Sequence, residues 1–138
     1  MKSGLIRSAV AFLCLLSLAL GALAQGGTPR LADVRKIYVE KMENGLDQYL
    51  TSEISKKFKG NLTVVTEKDK ADAILRGVNM GAQNTGEGTV QLVDPSGKVI
   101  LWSGTASDRD MKFLNIRHGG QAQMADNLIS QLKKAMQK

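Results

Sequence analysis

The stretch GAQNTGEGTVQLV, residues 81–93, has two readings, one that puts a helix after the loop and one that puts a strand there. Gly81 and Gly86 have the spacing of a phosphate-binding loop, GxxxxGK[ST]. Such a loop opens directly onto a helix, so that backbone N–H groups and the helix dipole face the phosphates and a lysine reaches the terminal ones. Here the lysine position holds Glu87, which repels phosphate, and the next residue is Gly88 rather than Ser or Thr. The segment after it, Thr89–Val93, alternates like a strand. The stretch therefore reads as a hairpin loop between two strands.

Working outward from that hairpin gives the fold. Downstream, Asp94-Pro95-Ser96-Gly97 is a turn by chemistry, with proline setting φ and glycine taking positive φ. Val99–Ser103 is the next strand, 106–120 reads as irregular, and Gln121–Lys138 carries Met124, Ala125, Leu128, Ile129, Leu132 and Met136 at helical spacing. Upstream, Ala71–Met80 is a strand in which Gly77 marks a bulge or a close backbone approach. Asn61–Thr66 and Val34–Met42 are two more strands. Between them Leu46, Tyr49, Leu50, Ile54 and Phe58 form an amphipathic helical stripe, with Asn44 as the expected cap and Gly60 as the stop. The order is β-α-β-β-β-β-α. It predicts an α+β two-layer sandwich, a mixed sheet of about five strands with two helices on one face. The first β-α-β is expected to be a parallel crossover and the last three strands a meander. Leu75, Val90, Leu92, Leu101 and the two helix stripes are the expected core.

The start of the chain reads differently. Lys2 and Arg7 precede seventeen uncharged residues, 8–24, that end in Ala22-Leu23-Ala24. A basic start, an apolar run and small residues at this spacing make a secretory signal peptide, with cleavage between Ala24 and Gln25. A membrane anchor would want about 20 apolar residues. A lipoprotein would need a cysteine after small residues at the end of the run, whereas Cys14 lies inside it. The expected organisation is a signal peptide over 1–24, a flexible N-terminus over 25–33 and one α+β domain over 34–138. The protein is expected to be periplasmic or extracellular. Cys14 is the only cysteine, so the exported domain has neither a disulfide nor a thiolate nucleophile. Without Lys2 and Arg7 the formal charge falls from +6 to +4.

Motifs that carry chemistry are sparse. Gly97-Lys98 lacks the upstream glycine of a phosphate loop. His118 is the only histidine, and nothing in the spacing brings it together with Asp108, Asp110, Ser103 or Ser107. A small exported hydrolase built on these groups is the least favoured reading. No catalytic residue, cofactor or metal site is assigned. Lys56, Lys57 and Lys59 end the first helix, and Lys133, Lys134 and Lys138 end the second. Cations there offset the negative end of each helix dipole. They also suit a polyanion or an anionic membrane surface, which is the alternative function. Nucleic acid is not an expected partner, because the few aromatics form no stacking platform.

By simple alternation Trp102 falls on the strand face opposite Leu101. With helices over Leu101, the far face would carry Ile100, Trp102, Val78 and Met80, and such an apolar face either marks an interaction surface or is covered by the irregular segment 106–120, with its Met111, Phe113, Leu114 and Ile116. The four strand residues, with Asn84 and Glu87 of the hairpin loop, are the expected partner-binding residues.

Ala71-Asp72-Ala73-Ile74-Leu75-Arg76-Gly77 after a short strand, and Gly97-Lys98-Val99-Ile100-Leu101-Trp102 after a turn, resemble a group of small bacterial envelope proteins. The group includes the lipopolysaccharide-assembly lipoprotein LptE, the periplasmic part of the curli secretion protein CsgG and the N-terminal domain of TolB. The similarity covers 34–138 as an order of elements. It implies a non-catalytic α+β module that docks onto other envelope components, with an envelope protein as partner and at most peripheral membrane contact. Many of these proteins are lipid-anchored through a cysteine, and this chain departs from them in lacking that cysteine.

Overall fold

The computed structural model describes residues 29–80, 87–107 and 120–138. The expected signal peptide and its Ala24–Gln25 cleavage site lie outside the described residues. The elements are β1 (Lys36–Val39), α1 (Leu46–Phe58), β2 (Thr63–Val65), β3 (Ala73–Met80), β4 (Glu87–Val93), β5 (Ile100–Ser107) and α2 (Gly120–Met136). A single-turn 3₁₀ segment, Leu31–Asp33, precedes β1, and its Leu31 packs against the core. Regular structure thus begins within the stretch expected to be flexible. No described helix is long and apolar enough to cross a membrane.

The five strands form one mixed sheet in the order β2-β1-β3-β4-β5. β1 runs parallel to β2 and to β3, and β3, β4 and β5 form the antiparallel meander. The α+β class, the mixed five-stranded sheet and the two covering helices are as the sequence predicts. One sheet face carries Ile37, Ala73, Leu75, Val90 and Leu92, all buried, against Leu46, Leu50 and Ile54 of α1 and Leu128, Ile129 and Leu132 of α2. Each of the valine, leucine and isoleucine side chains contributes about 1.5–3 kcal/mol on burial.

Two details of α1 differ from expectation. The buried stripe is Leu46, Leu50, Ile54 and Phe58, every fourth residue and hence one face. Tyr49 is 46% exposed, because it sits about 120° round the helix from the centre of that stripe. Nor does Asn44 cap the helix. Asn44 and Gly45 both take positive φ, 56° and 70°, which turns the chain into α1. Asp47 reaches back instead and accepts the Met42 N–H at 3.3 Å. At the other end Lys59 and Gly60 are both left-handed, at 50° and 90°, and end the helix near the expected glycine.

The largest correction concerns β5. Leu92 pairs with Trp102 and Val93 with Ile100, so Leu101 is an extra residue without a partner. An extra residue resets the alternation of the strand beyond it. Trp102 therefore shares the face of Leu75 and Leu92, under the helices, and packs against the core together with Leu101. Gly104 lies on the same face. A Cβ placed there would overlap Cζ2 and Cη2 of the Trp102 ring and stand 3.3 Å from Gln131 Oε1 of α2. The ring occupies the space that the glycine leaves open. A comparable register shift occurs after Gly77 in β3, where the sequence places a bulge or a close approach.

The β4–β5 connection is held by Asp94. Its carboxylate accepts the Ser96 hydroxyl at 2.6 Å and the Lys98 and Val99 N–H groups at 3.0 Å each. The Ser96 hydroxyl first, then the Val99 N–H, hold its pKa below the ordinary aspartate value.

Two measurements check this architecture. Gly104→Ala forces the Trp102 ring aside and is expected to destabilise the fold by about 1–3 kcal/mol in urea unfolding. In a Trp102→Leu background the same change is expected to cost clearly less, because the clashing ring is gone. For the turn, a folded pKa below the unfolded one means that stabilisation is present above the ordinary carboxylate range and is lost as pH falls through the folded value. The stability difference between wild type and Asp94→Ala should thus be constant near neutrality and shrink in acid.

Candidate functional site: a basic groove at the helix ends

A groove of about 490 Å³ opens where the two helices end, lined by Arg35, Lys57, Phe58, Lys59, Asn61, Lys133, Met136 and Gln137. Three parts of the chain supply its charge. Arg35 stands just ahead of β1, and Asp72 fixes the backbone there. One Asp72 oxygen, Oδ2, accepts the Arg35 N–H at 2.9 Å and the Lys36 N–H at 2.8 Å. The Arg35 guanidinium is held in turn, with Nη1 donating to the carbonyls of Ala32 at 2.8 Å and Val34 at 3.0 Å. Lys57 comes from the last turn of α1 and Lys59 from the left-handed residue at its end. Lys133 comes from the last turn of α2.

The cations differ in how far they are neutralised. Lys57 pairs with Asp126 of α2 at 2.7 Å and stands 3.8 Å from Glu53. Lys56 pairs with Glu53 at 2.8 Å. Arg35, Lys59 and Lys133 have no ion pair among the described residues. Phe58 is buried and Met136 half-buried, so the groove also has an apolar wall. The arrangement suits electrostatic capture of an anion. Among the described residues no three His, Cys, Asp or Glu side chains are placed to hold a metal ion.

Among the described residues, the expected partner-binding side chains Ile100, Val78 and Trp102 do not gather into one patch. Ile100 is 52% exposed and Val78 45%. Along the strands they are separated by the row Arg76, Gln91 and Ser103, where Arg76 donates to Gln91 at 3.2 Å. Val78 borders a shallow recess lined by Glu40, Met42, Glu43 and Gly77. Trp102 lies under the helices and is not part of that face. Met80 pairs with Gly88 through the backbone, and Glu87 starts β4, exposed, opposite Ser107. Asn84, His118, Asp108 and Asp110 lie outside the described residues. The far sheet face is also less apolar than expected: the Thr89 and Thr105 hydroxyls meet at 2.9 Å, and Ile74 and Val93 are buried.

Sequence reasoning identified the lysine clusters but missed Arg35 and Asn61. Their place is set by the parallel pairing of β1 with β2, which puts the Thr63 N–H 2.8 Å from the Arg35 carbonyl. No local motif announces that pairing.

Compared with protein-family models, curated proteins and solved structures, the chain matches none.

The Lys57–Asp126 pair is partly exposed, and such pairs contribute about 0–1 kcal/mol. Asp126→Ala is therefore expected to leave thermal stability nearly unchanged. By releasing Lys57 into the groove, it should delay elution from a heparin column to higher salt than wild type.

Proposed function

We propose that this protein is an exported, non-catalytic binding module of the bacterial cell envelope that docks onto an anionic envelope component. The observation that carries the reading is the groove, lined by three cations from separate parts of the chain, Arg35, Lys59 and Lys133, that have no ion pair among the described residues, beside Lys57, which is paired with Asp126. Export is supported by the signal-peptide pattern of residues 1–24, and docking to envelope components by the resemblance to small envelope-assembly proteins. The groove joins the two functional alternatives that the sequence raises: the docked envelope component is itself the anion. Contact with the membrane is peripheral on this reading.

The test is in-cell cross-linking of the tagged protein, with the captured material then rebound to purified protein across a salt series. Wild type is expected to capture a defined anionic component and to lose it steeply as salt rises. Lys59→Glu combined with Lys133→Glu should weaken capture at least tenfold while the far-ultraviolet circular dichroism stays unchanged. Equal capture by the charge-reversed variant would sink the proposal.

A further inference from the structure

We infer that the groove is a phosphate site, in which the Arg35 guanidinium and the Lys59 and Lys133 ammonium groups together receive a phosphomonoester or diphosphate group. This rests on the groove being the proposed docking surface, and adds the chemistry of what it receives.

Charge matching selects phosphate over carboxylate. Arg35, Lys59 and Lys133 bring three positive charges without an ion pair among the described residues. Against them stand the C-terminal ends of α1 and α2, which line the same groove through Phe58 and Met136. Each helix end carries about half a negative charge. The surplus is therefore about two positive charges. A single carboxylate supplies one negative charge, whereas a phosphomonoester supplies about 1.5–2 and three strong acceptor oxygens. The donors match that geometry. Arg35 uses Nη1 to hold two backbone carbonyls, which fixes the guanidinium plane. Its Nε and Nη2 donors have no protein acceptor among the described residues, and a planar fork suits two oxygens of one phosphate. Lys59 and Lys133 act as point charges beside it. The volume of about 490 Å³ is that of a small-molecule site. With Phe58 and Met136 as an apolar wall, it fits one phosphorylated group on a carbon skeleton.

The experiment is calorimetric titration of the purified chain with inorganic pyrophosphate and with citrate, then sedimentation with phosphatidylcholine vesicles that carry phosphatidic acid, a lipid phosphomonoester. Saturable pyrophosphate binding at least tenfold tighter than citrate binding, and at least tenfold weaker in Arg35→Lys and in Lys133→Gln, is the expected result. Arg35→Lys keeps the charge and removes only the fork. Vesicle binding that pyrophosphate displaces would identify a lipid phosphate. Pyrophosphate binding without vesicle binding would identify a soluble phosphate ester. Citrate equal to pyrophosphate, or Arg35→Lys equal to wild type, overturns the inference. If salt-sensitive capture of the envelope component persists in that case, the docking function stands without phosphate. Loss of both overturns both.

Discussion

The packing of α1 and α2 against a single face of the sheet is the constraint on which the remainder of the molecule depends. Ile37, Leu75, Val90 and Leu92 give that face its apolar surface, and Leu50, Ile54, Leu128 and Leu132 close it. The topology then decides where the helices end. β1 and β5 point the same way, because β3 is parallel to β1 and two antiparallel steps separate β3 from β5. A helix that comes after each of these strands and returns over the same face must run in the same sense as the other. Their C-terminal turns consequently arrive on one side of the domain. The groove lined by Phe58 and Lys59 from one and by Met136 and Gln137 from the other is the result. It is a product of the core, not of a local motif.

That dependence explains which features were legible in the sequence and which were hidden. The alternation of Thr89–Val93 and the four-residue spacing of Leu46, Leu50, Ile54 and Phe58 are periodic signals, and each gave the right element. Gly77 announced an irregularity and has one. Simple alternation puts Trp102 on the wrong face, because it presumes an unbroken ladder. A single unpaired residue, Leu101, moves everything after it to the other side. Asn44 looked like a cap because its residue type favours caps, yet the chain enters α1 through two left-handed residues. Of the groove, only the lysines were legible. Arg35 and Asn61 join them through parallel strand pairing, which leaves no mark on neighbouring residues.

The lysines themselves show how a general explanation can be sound and still incomplete. Cations at a helix C-terminus offset the dipole, and that accounts for their presence at both helix ends. It does not account for their differing surroundings. Lys56 and Lys57 are engaged by Glu53 and Asp126, whereas Lys59 and Lys133 have no ion pair among the described residues. The two helix ends together supply about one negative charge, and that is too little to balance Arg35, Lys59 and Lys133.

Like charges converging on one concavity raise the free energy of the folded state, and bulk salt relieves this only in part. The screening length is about 8 Å at physiological ionic strength, so nearby charges at one site are screened only in part. An anion seated among the three cations would remove the repulsion directly. Any ligand that binds the folded chain alone stabilises it in proportion to the logarithm of its concentration over its dissociation constant. The same arrangement that costs stability in the free protein therefore gives it a handle on an anion. It does so with groups whose positions the core has already fixed, since Asp72 and two backbone carbonyls hold Arg35 before anything binds. Part of the ordering cost that weakens binding by flexible basic side chains is thus met by folding.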